Sequence, residues 1–289
     1  MAKKTKKTKR KKRTPSWALA CFKQFICEME RLEQVLDLSA HGIAAVRGMP
    51  KVVEVLMKVK DKTEDTEAKG ELERAQAEAI LAEREVKEEF PLLHAWAVIS
   101  IWALLEAVIK SFVAEWLKRK PTAWRVEPIQ RLKIRIGKYE SIPRAERHLF
   151  VAELLERETG AGLKNGTTRF EALLTPFGLS GESPDIVRHI IFELGQVRNL
   201  IVHRGGRVDR TFREACPWVK IPLGHKLKVS TKMWHKYFGA VHIYITLLIC
   251  RVGTYFGVDM SENLSSLYET AEKLKPKPSN TADAKKSRA

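Results

Sequence analysis

The stretch PLLHAWAVISIWALLEAVIKSFVAEWL, Pro91 to Leu117, constrains this chain more than any other segment. Its length and its lack of strict alternation read as helix. Pro91 suits a first helical turn, where its missing N–H removes no hydrogen bond. Residues 91–109 come close to the length a bilayer span requires. His94, Glu106, Lys110 and Glu115 argue against a span, because a charge at mid-bilayer costs about 3 kcal/mol on insertion scales. The segment therefore reads as a wholly buried core helix of a protein with no membrane span. Glu106 is then a buried or half-buried carboxylate that needs a partner.

Helical signals continue on both sides. Trp17 to Leu38 places Phe22, Phe25, Ile26, Met29, Leu32, Val35 and Leu36 at three- and four-residue spacing, the pattern of an amphipathic helix. Gly42 to Pro50 interrupts it, and Val52 to Val59 reads as another short helix. Glu64 to Glu89 is rich in strong helix formers but sparse in apolar positions, which suits a solvated helix or an arm. From Pro121 to Gly137 the period changes. Arg131, Lys133 and Arg135 alternate with Leu132, Ile134 and Ile136, as in one short strand or a basic helix edge. Helix resumes from Pro143 to Glu158, a Gly-rich loop follows, and Phe170 to Phe177 gives a short helix. Ser183-Pro184-Asp185 reads as the capped start of a helix that stops near Arg204, since Gly205-Gly206 follows. Val219 to Val229 holds two extended pieces around Gly224, a candidate hairpin. Ser230-Thr231 caps a last helix, Met233 to Gly257. The expected fold is all-α: an antiparallel helical bundle over residues 91–258 with at most one small β-hairpin, preceded by a helical region at 16–90.

Charge is unevenly spread. The 289 residues carry a formal net charge of +17. Lys3 to Arg13 contains nine Lys/Arg and no acid, and Lys273 to Ala289 contains six Lys/Arg against one Asp, so these segments hold +14 of it. Residues 1–15 and 272–289 read as basic disordered tails. In the body, Asp61 to Phe90 holds eleven acids against five bases, while Lys118 to Phe150 holds ten bases against three acids. A basic region in a nearly neutral body suits a phosphate backbone. Lys118, Arg119, Lys120, Arg131, Lys133 and Arg135 are thus candidate RNA-binding residues, with a solvated face as the alternative. Cys21, Cys27, Cys216 and Cys250 show no metal-ligand spacing, and there is no secretory signal, so a reducing, cytoplasmic setting is expected.

Several chemistries find no motif. Gly160-Ala161-Gly162 with Lys164 lacks the spacing of a phosphate-binding loop. The eight histidines are dispersed, so no metal site or other cofactor is expected. There is no G-x-S-x-G turn and no kinase motif set. Trp96, Trp102 and Trp116 on the core helix read as packing. Arg198-Asn199-Leu200-Ile201-Val202-His203 is different, because it sits in an apolar helix and runs into the Gly205-Gly206 stop. Asn199 and His203 are four apart and share a helix face. Arg198 lies five residues from His203, about 140° round, and its long side chain can swing toward the same pocket. Histidine is the side chain suited to donating and accepting protons near neutral pH.

With its surrounding sequence ELGQVRNLIVHRGG, this segment resembles the HEPN superfamily, whose helical domains carry an Arg, a polar residue and a His as R-x(4–6)-H near the end of a late helix. The early apolar helix with its internal Glu106 and the closing long helix fit the same order. The resemblance covers roughly residues 91–258 and leaves 16–90 unexplained. It implies a metal-independent endoribonuclease acting as a homodimer, with the motif helices of two subunits facing each other. His203 would be the general acid/base, Arg198 would hold the scissile phosphate, and Asn199 would orient one of them. The products would be a 2′,3′-cyclic phosphate and a 5′-hydroxyl, and the setting cell defence or a toxin with an antitoxin or regulatory partner. Some HEPN toxins carry a Tyr two residues after the His as a modification target. Gly205 stands there, so the resemblance does not extend to that control. A non-catalytic RNA- or protein-binding module, or a regulatory subunit docked through the acidic helix 61–90, remains the alternative.

Overall fold

The computed structural model describes residues 13–61, 63 and 65–275, and these fold into α-helices joined by turns and short 3-10 segments. The tail assignments over residues 1–12 and 276–289 lie outside the described residues. In chain order the helices are α1 (Ser16–Val46), α2 (Met49–Val59), α3 (Thr66–Lys87), α4 (Pro91–Arg119), α5 (Glu127–Gln130), α6 (Ile136–Ser141), α7 (Arg147–Glu158), α8 (Thr167–Leu174), α9 (Asp185–Arg204), α10 (Arg210–Ala215), α11 (Thr231–Tyr255) and α12 (Ser261–Glu272). The fold is all-α.

The core lies between α1, α4, α9 and α11. α4 contributes Ile101, Leu105, Ile109, Phe112 and Val113, and α11 contributes Tyr237, Val241, Tyr244 and Leu248, all buried. Phe22, Phe25 and Met29 of α1 enter the same core, and Phe22 stacks against Phe112 at 4.8 Å. Residues 16–46 are therefore part of the body that holds the motif helix. Gly42 does not interrupt α1, which runs on to Val46 before breaking at Arg47-Gly48. One glycine costs a long helix only about 1 kcal/mol, less than the packing around it supplies.

Contacts at the helix ends fix the directions. Lys228 pairs with Glu88 at 2.6 Å and the Thr231 N–H donates to Glu89 at 3.3 Å, so α4 and α11 begin at the same end. At the other end Lys120 sits 5.3 Å from the Tyr255 ring and 4.6 Å from the Phe256 ring. α9 runs against both, since Arg251 near the end of α11 donates to Ser183 just before α9 begins. α1 likewise runs against α4, with the Trp17 ring packed at a tilt against Trp116 at 5.7 Å. The first end therefore gathers the start of α4, the start of α11 and the finish of α9. The corner into α4 is strained: Glu89 and Phe90 both take positive φ, 62° and 54°, at a cost of about 1 kcal/mol per residue. Glu89 also holds the Thr231 N–H across that corner.

Four local expectations are corrected. α4 is central but not wholly buried: Trp96 is 59% exposed and Leu92 50%, because neighbours cover only part of its circumference. Trp96 is thus no core residue, whereas Trp102 and Trp116 are. Residues 131–136 form no strand; α5 ends at Gln130 and a short extended link leads to α6, since no neighbouring edge pairs with it. Val219–Val229 forms no hairpin with itself. Its Lys226 pairs with Arg207 in an isolated antiparallel bridge, because Gly224 N–H turns back onto Val208 O at 2.8 Å. The start of α9 stands at Asp185 as expected, but without a side-chain cap; Ser183 instead accepts from Arg251.

α4 and α11 are both long and apolar enough to cross a bilayer by length and composition. Within the bundle, α4 buries one side against its neighbours and finds a partner for each of its mid-helix charges, Glu106 with Arg169 at 2.6 Å and Lys110 with Glu156 at 2.8 Å.

Candidate active site

α9 owes its place to one apolar face. Val187, Ile190, Ile191, Leu194, Val197 and Leu200 recur at helical spacing and are buried. Gly195 allows close approach to α4: a Cβ there would lie 2.9 Å from the Trp102 ring. The helix ends because Gly205 adopts φ 57°, a left-handed conformation that glycine takes without strain. The Gly206 N–H then folds back onto Leu200 O at 3.1 Å. This closure leaves the last turn, with Asn199 and His203, exposed at the rim of the bundle.

Arg198 is half-buried. Its Nη1 donates to Asn199 Oδ1 at 3.0 Å, while its Nε is buried and has no hydrogen-bond partner. Among the described residues no carboxylate pairs with Arg198, and nothing hydrogen-bonds the His203 ring. An uncompensated guanidinium with a buried orphan donor is costly, because a buried polar group without a partner loses about 1–3 kcal/mol. The structure thus brings Arg198 and Asn199 into contact and puts His203 one turn further along the same exposed helix end.

Glu106 is not brought to Arg198. Its side chain, 23% exposed, accepts from Trp102 Nε1 at 3.0 Å and pairs with Arg169 at 2.6 Å. Arg169 reaches Glu156 at 2.7 Å, and Lys110 closes the chain on Glu156 at 2.8 Å. Burial pushes the Glu156 carboxyl up, but hydrogen bonds from Lys110 and Arg169 prevail and hold it below the ordinary carboxylate value. This alternating network joins α4, α7 and α8. Glu106 supports α9 only through Trp102, whose ring lies against Gly195.

The candidate RNA-binding residues do not gather beside the motif. Lys118 and Arg119 pair with Glu115 at 3.5 and 2.9 Å, and Lys120 lies over the rings of Trp116, Tyr255 and Phe256. All three sit where α4 finishes, at the end opposite the finish of α9. About 36 Å of helix axis separates His94 from Lys118 at 1.5 Å per residue. Arg131 pairs with Glu127 at 2.5 Å. Arg131 and Lys133 line an open cleft with Arg157 and Glu158 beside α7, and Arg135 stands exposed before α6.

Two features were missed in the sequence. Glu193, 2% exposed in the middle of α9, accepts from Lys236 at 2.5 Å, Tyr237 at 2.7 Å and Trp218 at 2.7 Å. Burial pushes its carboxyl up, yet these donors prevail and hold it below the ordinary range. Nothing in the spacing of a lone Glu announces partners 25 to 44 residues away. The second is cationic: Arg204, Arg207, Arg210 and Arg213 recur every third residue just past His203, against Asp209 alone. That signal was readable, but the larger basic run at 118–150 obscured it.

Among the described residues no group of three or more His, Cys, Asp or Glu side chains could hold a metal ion. Comparison with known proteins gives no matching family model, no matching curated protein and no matching solved structure.

Proposed function

We propose that this chain is a metal-independent endoribonuclease of the HEPN type, acting on RNA as a homodimer. The observation that carries the reading is the finish of α9, where a carboxylate-free Arg198 bonds Asn199, and Asn199 stands one turn from an exposed His203. His203 removes the proton of a ribose 2′-hydroxyl, whose oxygen attacks the adjacent phosphorus. The bond to the 5′-oxygen breaks, and that oxygen leaves with a proton from a protonated histidine, the second copy's in a twofold site. Arg198 holds the phosphate and stabilises the charge that develops on its equatorial oxygens. The products are a 2′,3′-cyclic phosphate and a 5′-hydroxyl. A cytoplasmic defence or toxin role, with an antitoxin or other regulatory partner, belongs to the same proposal.

The test is incubation of end-labelled RNA and DNA of one sequence with the protein, with and without a chelator, followed by end-group analysis. Cleavage of RNA alone, insensitive to chelator and ending in cyclic phosphate, supports the reading. Equal cleavage of DNA, or products with a 5′-phosphate, contradicts it.

A second reading, a regulatory subunit docked through the acidic helix 61–90, draws on a separate observation in the helix just before it. Val52, Val55, Leu56 and Val59 form one apolar stripe on α2 and all stay exposed, Val59 at 78%. Exposed apolar patches of this kind mark interaction surfaces.

A further inference from the structure

Just past His203 the backbone sets two residues of like charge directly opposite one another. Leu227 N–H donates to Gly206 O at 2.8 Å and Val208 N–H donates to His225 O at 3.0 Å. These bonds flank Arg207 and Lys226, which face each other in an isolated antiparallel bridge. A pair flanked in this way is of the non-hydrogen-bonded kind. Its Cα atoms approach to about 4.5 Å and both side chains leave the same face. Like charges directly opposite one another are destabilising there.

Nothing in the neighbourhood relieves them. Both residues are exposed, and among the described residues neither has a carboxylate partner. Arg207 donates Nη1 to Gly224 O at 3.3 Å. The Lys226 methylenes run past Gly206, where an added Cβ would lie 3.6 Å from Cγ. Three other cations of this region are neutralised: Arg204 by Asp209 at 3.1 Å, Arg210 by Glu214 at 2.7 Å, Lys228 by Glu88 at 2.6 Å. The bridge is also fixed relative to the motif, because the Gly206 N–H bonds Leu200 O in the last turn of α9.

We propose that Arg207 and Lys226 form a phosphate clamp, which seats an RNA phosphodiester next to the one attacked at Arg198 and His203. The choice of RNA as ligand rests on the ribonuclease reading. One phosphate between the two cations turns a repulsion into two attractions. The guanidinium can grip it bidentately while the ammonium acts as a point charge. Contacts of this kind position a strand and carry no base information, so Arg207 and Lys226 are positioning residues and not catalytic ones.

The experiment uses the full chain and a fluorescent 2′-O-methyl oligoribonucleotide of mixed sequence, which binds but cannot supply the attacking hydroxyl. Affinity is measured across a salt series for wild type, Arg207→Ala, Lys226→Ala, the double variant, and Lys23→Ala, an exposed lysine of α1 at the far end. Each single alanine is expected to flatten the log affinity against log salt slope by about 0.7, and the double by about twice that. Lys23→Ala should leave the slope unchanged. Melting temperatures should stay level or rise, since the substitutions relieve a repulsion. If an alanine variant melts lower, Arg207→Gln and Lys226→Gln, which keep the stems, carry the same test. A double variant with wild-type affinity and slope overturns the clamp, whatever happens to cleavage. If His203→Ala cleaves cleavable RNA at the wild-type rate while the double variant still loses slope, the ribonuclease reading falls and the clamp stands.

Discussion

At the scale of single residues, the site depends on groups that burial or geometry leaves without partners. Arg198 has a buried Nε with nothing to donate to and a Nη1 fixed by Asn199. Replacing it by lysine keeps the charge but loses the planar fork, so we expect Arg198→Lys to lose most cleavage, measured on a labelled RNA at saturation. His94 makes a second, independent prediction. It is buried with Nδ1 unpartnered, and burial holds its imidazole below the ordinary value of 6.5 despite the nearby Glu89 and Val229 backbone. The unfolded chain therefore takes up this proton first as pH falls. Stability from a neutral His94 is present above about 6.5 and declines below it, through the folded value. Melting temperature followed against pH should drop below 6.5 in wild type and drop less in His94→Phe. Equal curves would mean that His94 is protonated in the folded state. Glu193 acts lower on the scale: its depressed carboxyl stabilises the fold above the ordinary 4.5 and loses that contribution as pH falls further.

At the scale of elements, periodicity made the helices legible, and long-range pairing decided the rest. α4, α9 and α11 stand where apolar spacing and glycine stops place them, and the Ser230 cap accepts the Met233 N–H at 3.3 Å as expected. The exposed face of α4, the isolated bridge and the Glu193 network were not legible, because each depends on which distant element arrives beside it. The motif residues were readable from one short segment, whereas the placement of the basic runs was not: the longest, 118–150, begins at the end of the bundle opposite the finish of α9. The contact between α4 and α9 is the most exposed to a small change. Gly195→Ala puts a methyl 2.9 Å from the Trp102 ring, and Trp102 cannot move without releasing Glu106. Overpacking of this kind costs about 1–3 kcal/mol, so a chemical melt should show that loss. A neutral result would mean that α9 slides away from α4 freely.

At the scale of the whole molecule, one Arg and one His on a helix end stabilise a phosphate from one side only. A twofold axis beside the finish of α9 would bring two copies of each into one cleft, and isologous pairing is the commonest way to double a site. We expect a homodimer in solution whose dissociation, followed by light scattering on dilution, lowers cleavage in parallel. The basic segments Lys3–Arg13 and Lys273–Ala289 should add affinity without chemistry. Their removal should weaken binding of any nucleic acid and flatten its salt slope, with turnover at saturating RNA unchanged. The most direct measurement is the cleavage rate of a labelled RNA by His203→Ala beside wild type, each with its melting curve. His203 is exposed and unpartnered at a helix end, so its loss should leave the melt unchanged, while removal of a general acid/base lowers the rate about 100- to 10,000-fold. A His203→Ala protein that melts like wild type and cuts RNA equally fast would contradict the assignment of this helix end as a ribonuclease site.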